Sequence, residues 1–243
     1  MAPLEPRATI YVMPGSQYSA KVVAALDSRG IPHYCTFVAA VPAKRKLPSG
    51  GTCVPEALIG DEVVPDSDVI LRHYDEHHGT GFFPDEAATA LTHRISYGIL
   101  AGAVLFYNWV HWSSYDRSMR KMFASMLPSY VCGVLRGPVV DYLTSDVRAK
   151  YRVKAAQQMG DLADETLDDE PAIRVRLIEE LVSVQALLAT PDQAQLFASA
   201  KQPGAADFSL YAMLERLIGD MGDASVPSAL PDLAGARESQ HVL

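Results

Sequence analysis

The sequence predicts an α/β domain at the N-terminal end of the chain, followed by an all-α helical bundle. Short runs rich in β-branched and aromatic residues are concentrated in the first third of the chain. From residue 85 onward, apolar residues recur instead at helical spacing. The chain has 243 residues, of which 49% are hydrophobic, so it can form the cores of two modest domains.

The first strands enclose a helix. The runs "TIYVM" (Thr9 to Met13) and "HYCTFV" (His33 to Val38) have the composition of short strands. Between them, "SAKVVAALDSRG" has helical spacing and ends in a glycine, which suits the end of a helix. A strand, helix, strand unit of this length predicts a parallel pair of strands.

A hairpin and a second helix are predicted to complete the first domain. After the Pro/Gly-rich "AAVPAKRKLPSGGT", the strand-like "PEALI" and "EVV" lie on either side of the turn Gly60-Asp61. "DSDVILRHYDEHHG" then predicts a helix that Asp66 or Ser67 can cap. The order is therefore βαβ-ββα, and it predicts a small mixed sheet.

The rest of the chain predicts helices. They are expected at 87–112, 114–126, 138–167, 171–189 and 205–219. The stretch "GTGFFPDE" between the two parts has the composition of a linker. We therefore predict an N-terminal domain at 1–78, a linker at 79–86 and an all-helical domain at 87–243.

The composition argues against several classes of protein. A net charge of -8, without a basic stripe, disfavours binding to nucleic acid. The three cysteines Cys35, Cys53 and Cys132 are widely spaced and form neither a disulfide framework nor a metal-binding pattern. The N-terminus lacks the layout of a secretory signal, and no apolar run has the ~20 residues needed for a membrane span. We expect a soluble, intracellular protein in a reducing, cytoplasmic compartment, without a bound metal.

Three stretches in this order resemble the glutathione S-transferase family. They are "SQYSAKV" from Ser16, "CVPEALIGDEVVPDSDVILRHYDE" from Cys53 and "QPGAADFSLYAML" from Gln202. The first resembles both the glutaredoxin-type loop and the serine-type loop of theta-like transferases. The resemblance implies a thioredoxin-like N-terminal domain followed by a helical domain, with glutathione as co-substrate and a homodimer as the assembly.

The resemblance also implies roles for individual residues. Ser16 would hold the glutathione sulfur as a thiolate, because a hydroxyl at a helix N-terminus can lower a thiol pKa from about 8.5. Val54, before the family's cis-proline Pro55, would pair with the peptide backbone of glutathione. Asp66 and Ser67 would bind its γ-glutamyl group. Helix capping by the two serines and by Asp66, and an architectural role for Pro55, are the alternatives.

The activity implied is conjugation of glutathione to a small apolar electrophile. One alternative is a non-catalytic scaffold subunit of a larger protein complex, which keeps the fold and loses the ligand. Another is an isomerase or lyase that uses glutathione as cofactor. The sequence does not identify the electrophile.

The chain departs from the family beside the expected glycine end of glutathione. The loop before Val54 is Pro/Gly-rich. Lys44, Arg45 or Lys46 could hold the glycine carboxylate in its place, but a solvated loop is the better-supported interpretation of this basic run. Cys53 replaces the family's usual Lys or Arg, and a small buried cysteine is the ordinary expectation for it. These departures favour the scaffold alternative.

Other conspicuous residues are predicted to be structural. Tyr18 is expected to pack, and Asp207 to form half of a capping box with Gly204 in place of Ser or Thr. The four-residue spacing of His73 and His77 is attributed to a solvent-facing helix end. The aromatic stretch 106–112 is interpreted as core packing, and the resemblance adds a role in lining the electrophile pocket.

Overall fold

A computed structural model describes residues 8–13, 15–38, 46–111, 133–160, 167–188 and 202–221. These residues form two compact units. The first unit comprises the described residues up to Ser96 together with 202–213. The second comprises those from Tyr97 to 188 together with 214–221. The predicted limits of the domains, at 78 and 87, remain a proposal.

The first unit has the predicted βαβ-ββα order. Its elements are β1 (Ala8–Val12), α1 (Gln17–Ser28), β2 (His33–Phe37), β3 (Glu56–Ile59), β4 (Glu62–Pro65), α2 (Ser67–His78) and α3 (Glu86–Tyr97), whose last residue already belongs to the second unit. The sheet has the order β2-β1-β3-β4. Because β1 pairs parallel with β2 while β3 is antiparallel to both β1 and β4, the predicted mixed sheet is confirmed.

Two glycines mark turns that the sequence predicts. Gly30 follows α1 with a φ of 61°, a left-handed conformation that costs glycine little. Gly60 has the same φ of 61° in the tight turn between β3 and β4, where Ile59 is paired with Glu62. The hairpin register follows from this turn.

The core of the first unit lies where α1 and α2 pack on the sheet. Fully buried apolar side chains come from both helices and from the central strands: Ile10, Val22, Ala25, Leu26, Ala57, Ile70 and Leu71. The alternation of buried and half-buried residues along β1 matches a strand with one face in this core.

The segment after α2 is packed into the same unit. The Asp75 carboxylate accepts hydrogen bonds from the backbone N–H groups of Phe82 and Phe83, at 2.8 and 2.7 Å. Phe82 is fully buried and meets the Phe208 ring edge-on, with 6.1 Å between ring centroids. Residues 202–213 therefore share the core of the first unit although they follow it late in the chain.

The second unit is helical in its described residues. It contains α4 (Ile99–Leu105), a π-helical turn (Phe106–Val110), α5 (Gly133–Gln158), α6 (Glu170–Leu188) and the later part of α7 (Ala205–Met221). A single helix over 87–112 was the wrong prediction. Gly98 takes an extended conformation, with φ -94° and ψ -154°, and divides α3 from α4.

Two further predicted helices differ from the structure or lie outside it. The helix predicted at 138–167 begins at Gly133 and ends at Gln158, because Gly160 adopts a φ of 72° that does not continue a helix. The helix predicted at 114–126 lies outside the described residues. Helices α6 and α7 agree with their predictions to within two residues at each end.

Helix α4 lies against α5 at a glycine. A Cβ atom at Gly102 would come within 2.7 Å of the Met159 side chain and 3.2 Å of the Ala155 carbonyl oxygen. Any larger residue would push the two segments apart. Within the described ranges, none of the helices combines the length and apolar character that crossing a bilayer requires.

Candidate functional site

Ser16 lies at the junction of β1 and α1, where the sequence analysis places a thiol-binding hydroxyl. It is the N-cap of α1, and its Oγ accepts a hydrogen bond from the Ser19 N–H at 3.3 Å. The side chain is buried. The capping alternative therefore describes an interaction that is present, and it uses the hydroxyl as an acceptor. The hydroxyl hydrogen can still be donated to a ligand.

The loop that precedes β3 contains the predicted cis-proline. The peptide bond between Val54 and Pro55 is cis. The Pro55 carbonyl oxygen accepts a hydrogen bond from the Asp66 N–H at 3.2 Å. Two parts of the predicted glutathione site, Val54-Pro55 and Asp66-Ser67, are thus joined through the backbone.

Asp66 is the N-cap of α2 and has an unusual backbone. Its φ of 71° makes it the one non-glycine residue with positive φ among those described. Such a conformation costs about 1–3 kcal/mol and is concentrated at functional sites. The side chain accepts a hydrogen bond from the Asp68 N–H at 2.8 Å. Asp66 therefore caps α2, and the next residue is not needed for that purpose.

Ser67 is the first residue of α2 and is buried with a relative exposure of 1%. Among the described parts of the chain, no atom forms a hydrogen bond with its Oγ. A buried hydroxyl without a partner costs about 1–3 kcal/mol. The first N–H groups of a helix have no partner within the helix, and together with the helix dipole they favour a negative group at this point.

A buried ion pair joins α1 to the start of α2. Lys21 is 1% exposed, and its ammonium contacts the carboxylate of Asp68. Burial lowers the pKa of Lys21 below its ordinary value of 10.5, and the Asp68 charge opposes that shift. The Lys21 ammonium also donates to Ser96 Oγ at 3.2 Å. This pair was not predicted, although a lysine inside an apolar helix period is a signal for a buried charge.

The hydroxyl of Tyr18 is used inside the first unit. It donates to the Ser96 carbonyl oxygen at 2.9 Å. The single hydrogen of this hydroxyl is therefore engaged by the Ser96 carbonyl oxygen. This contact agrees with the structural role predicted for Tyr18.

The region expected to hold the glycine end of glutathione differs from the prediction at one residue. Cys53 is exposed, so the expectation of a small buried cysteine was wrong. Lys46 is exposed, while Lys44 and Arg45 lie outside the described residues. The carboxylate of Glu56, which the sequence analysis did not single out, is buried and accepts a hydrogen bond from the Ser49 N–H at 2.9 Å. Glu56 thus fixes the end of this loop to β3.

Part of the aromatic stretch is buried in the second unit. Phe106 and Tyr107 are buried, and the Tyr107 hydroxyl donates to Glu170 Oε1 at 2.8 Å. The π-helical turn over Phe106–Val110 is a feature that often occurs at functional sites. Trp112, at the end of the predicted stretch, lies outside the described residues.

The remaining predicted structural residues can also be located. The rings of His73 and His77 are stacked with 4.2 Å between centroids. In the residues that the structure describes, no group of three or more His, Cys, Asp or Glu side chains could hold a metal ion. The Asp207 carboxylate accepts from the Gly204 N–H at 2.7 Å, which is the predicted half of a capping box. Cys132 is not among the described residues.

Comparison with known proteins identifies the fold. No family model matches the sequence, and no curated protein matches it. Among solved structures, the beta-etherase LigF from Sphingobium sp. strain SYK-6 aligns with a TM-score of 0.61 at 16% identity, over 93% of this chain and 91% of that one. Human glutathione transferase theta-2, in complex with glutathione and an unknown ligand, aligns with a TM-score of 0.60 at 16% identity, over 96% and 80%.

A third structure agrees with these two. A glutathione S-transferase from Methylobacterium radiotolerans, in complex with glutathione sulfonate, aligns with a TM-score of 0.59 at 16% identity, over 96% of this chain and 90% of that one. The chain has the glutathione S-transferase fold. The first unit contains the βαβ-ββα sheet of the thioredoxin-like domain, and the fold class predicted from the sequence is confirmed.

Proposed function

We propose that the chain is a glutathione transferase that conjugates glutathione to a small apolar electrophile. The observation that carries this proposal is the start of α2. There Asp66 provides the cap in a strained conformation, while the buried Ser67 hydroxyl has no hydrogen-bond partner among the described residues. A carboxylate seated on this helix N-terminus would supply that partner, and the γ-glutamyl end of glutathione carries one.

The negative charge of Asp66 suits the other group of the γ-glutamyl end. The α-amino group of the γ-glutamyl residue of glutathione is cationic at neutral pH, and the Asp66 side chain is exposed beside Ser67. A carboxylate of glutathione would lie on the N–H groups of α2, and its ammonium would lie beside Asp66. This arrangement selects an α-amino acid over a simple anion.

Ser16 is proposed to stabilise the reacting sulfur. Its hydroxyl would donate a hydrogen bond to the thiolate, after the thiol proton has passed to solvent, while Oγ continues to accept from Ser19. The thiolate then forms a bond to an electrophilic carbon, and the leaving group departs with its electron pair. Val54, before the cis peptide bond, would hold the cysteinyl backbone through its N–H and C=O groups.

The structural relatives support glutathione as the co-substrate. Two of the structures described above contain glutathione or glutathione sulfonate. We also propose that the protein forms a homodimer and that its second substrate is a small electrophile. The end of the N-terminal domain at residue 78 and the start of the helical domain at residue 87 are proposed as well.

Calorimetric titration with reduced glutathione tests the binding step. We expect saturable binding to the unmodified protein and at least about tenfold weaker binding to a Ser67→Ala variant, the loss of one hydrogen bond to a charged group. Ser28→Ala is the matched control, because Ser28 is the last residue of α1 and its hydroxyl donates to the Ala25 carbonyl oxygen. Absence of binding to the folded protein would overturn the proposal and favour the scaffold alternative.

Conjugation to a chromogenic electrophile such as 1-chloro-2,4-dinitrobenzene tests Ser16. We expect Ser16→Ala to lower kcat/KM about 100-fold, as expected for loss of one donor to a developing or retained negative charge. The thiolate absorbance of bound glutathione should appear at higher pH in this variant. Unchanged conjugation would refute the role of Ser16 and leave it as a helix cap.

One observation favours a second reaction. The LigF structure, whose alignment has a TM-score of 0.61, is named a beta-etherase. The same thiolate could displace an alkoxide from an ether carbon, so that a carbon–sulfur bond forms and the alcohol is released. An isomerase would instead return glutathione unchanged. Measuring whether glutathione is consumed, and whether an aryl ether releases its phenol, separates these reactions.

A further inference from the structure

Lys21 carries an ammonium group in the interior of the first unit. It is 1% exposed, and it is the largest polar side chain among the most deeply buried ones described. Isolated charges are rarely buried to this degree, since removal from water costs several kcal/mol for each ion. Nothing in the proposed chemistry of Ser16 or Val54 accounts for this residue.

The first contact of the ammonium lies in the first turn of α2. Asp68 follows Ser67 directly, and its carboxylate forms an ion pair with Lys21. The Asp68 N–H is bound at the same time by the Asp66 side chain at 2.8 Å. The ion pair therefore fixes the start of α2, where Asp66 and Ser67 of the proposed γ-glutamyl site lie.

A directed chain of hydroxyls fixes the ammonium from the other side. Lys21 Nζ donates to Ser96 Oγ at 3.2 Å, and Ser96 Oγ donates to Ser209 Oγ at 3.0 Å. Ser209 Oγ in turn donates to the Ala205 carbonyl oxygen at 2.7 Å. Ser96 Oγ thus accepts from the ammonium and gives its own hydrogen to Ser209 Oγ, which gives its hydrogen to the Ala205 carbonyl oxygen. The direction of these hydrogen bonds leaves Ser96 Oγ as an acceptor for Lys21 Nζ.

Stability alone is a weak reason for such a pair. Replacing a buried ion pair with apolar side chains of similar volume is often neutral or stabilising, because the cost of desolvation offsets the attraction between the charges. What the pair provides is a fixed geometry between α1, which Ser16 caps, and α2, which begins at Ser67.

We propose that Lys21 is a positioning residue that holds the first turn of α2 through Asp68 and thereby sets the affinity of the Asp66-Ser67 site for the α-amino acid end of glutathione. This inference rests on the proposed function for its ligand, while the holding of α2 by Lys21 stands independently. Lys21 contacts neither sulfur nor electrophile in this scheme. Its loss should change binding and leave the pKa of the bound thiol, which Ser16 sets, unaltered.

The test compares Lys21→Met with the unmodified protein. The methionine side chain has a similar length and leaves Asp68, which is partly exposed, as a charge in a helix first turn. Asp68→Glu keeps the charge and is the conservative variant. Arg152→Met, which breaks the surface ion pair between Arg152 and Asp168 in the second unit, is the matched control.

Two readouts are taken at a temperature at which every variant is folded. Calorimetry gives the Kd for glutathione. We expect this Kd to rise about tenfold in Lys21→Met, because one contact to a charged group is lost. It should change little in Asp68→Glu and in Arg152→Met. Amide hydrogen exchange should accelerate in residues 67–70, while β1 and β3 keep their protection. The pH at which bound glutathione forms its thiolate should stay the same.

The outcomes separate this inference from the proposed function. An unchanged Kd together with unchanged exchange in 67–70 would overturn it, and so would exchange that accelerates equally across the whole first unit. If the unmodified protein binds no glutathione, the proposed function fails, and the exchange pattern alone decides whether Lys21 holds α2. If Lys21→Met does not fold, Ser96→Ala removes one acceptor from the ammonium and should raise Kd about threefold.

Discussion

The two helices that carry the candidate site begin with serines in opposite situations. At the start of α1, Ser16 is the cap, and its oxygen accepts from the Ser19 N–H. At the start of α2, Asp66 takes over the cap, and Ser67 keeps a buried hydroxyl that no described residue contacts by a hydrogen bond. The same residue type therefore caps one helix and, at the start of the other, has no hydrogen-bond partner among the described residues.

This difference follows from the residue before each helix. Ser16 has an ordinary extended backbone, with φ -85° and ψ 117°, whereas Asp66 has φ 71° and ψ 143°. The left-handed φ of Asp66 is unfavourable for a residue with a side chain. Two unfavourable features therefore meet at this turn: the backbone conformation of Asp66 and the buried Ser67 hydroxyl, which has no hydrogen-bond partner among the residues that the structure describes. Such a concentration of cost at one turn is expected of a binding site rather than of a helix end that serves stability.

The largest effect is expected at the ion pair that connects the two helix starts. Asp68→Asn leaves the Lys21 ammonium buried without its counter-charge, and we expect it to lower the free energy of unfolding by about 3 kcal/mol. Lys21→Met should cost less, because Asp68 remains partly exposed in the first turn of α2. Urea unfolding of both variants measures the two costs. Equal costs would show that the pair is solvated and does not bridge the helices.

The next effect compares the two serines directly. Ser16→Ala removes a cap and should lower the free energy of unfolding by about 1 kcal/mol. Ser67→Ala removes a buried hydroxyl that has no hydrogen-bond partner in the described part of the chain, so it should leave stability unchanged or raise it by up to about 1 kcal/mol. Thermal and urea unfolding under the same conditions give both values. A similar loss in the two variants would mean that Ser67 has a structural partner and would break the comparison.

The features that the sequence predicts are local ones. The strand at Ala8–Val12, the hairpin at Gly60 and the cap at Ser16 each depend on a few neighbouring residues, and all are found. The cis-proline at Val54-Pro55 was indicated by resemblance alone. These elements are sufficient to specify the order βαβ-ββα, because short connections leave few ways to pair the strands.

The features that the sequence did not predict depend on distant partners. Lys21 and Asp68 are 47 residues apart, and neither residue by itself indicates an ion pair. The division of the long helix at Gly98 was missed because a glycine inside an apolar period is compatible with either a continuous or a broken helix. The exposure of Cys53 likewise depends on the conformation of the loop before β3.

A smaller effect is expected from relieving the backbone of Asp66. Asp66→Gly removes the cost of a positive φ and retains a residue accepted at the N-cap, so stability should stay within about 0.5 kcal/mol of the unmodified protein or rise. Asp66→Ala keeps the unfavourable φ and loses the cap, and it should cost about 1 kcal/mol. Both variants should bind glutathione more weakly, since each removes the carboxylate beside Ser67. If Asp66→Gly is less stable than Asp66→Ala, the positive φ of Asp66 does not lower the stability of the folded protein.

The smallest effect concerns the charge of Lys21 at alkaline pH. Burial holds the pKa of Lys21 below 10.5 in the folded protein, so at pH values between that lowered pKa and 10.5 the unfolded chain binds more protons than the folded one. The free energy of unfolding of the unmodified protein should therefore rise with pH in this window relative to Lys21→Met. Urea unfolding at neutral pH and at a pH approaching 10.5 measures the difference between the two proteins. A difference that falls with rising pH would mean that Asp68 outweighs burial, and that the ion pair stabilises the start of α2 as well as positioning it.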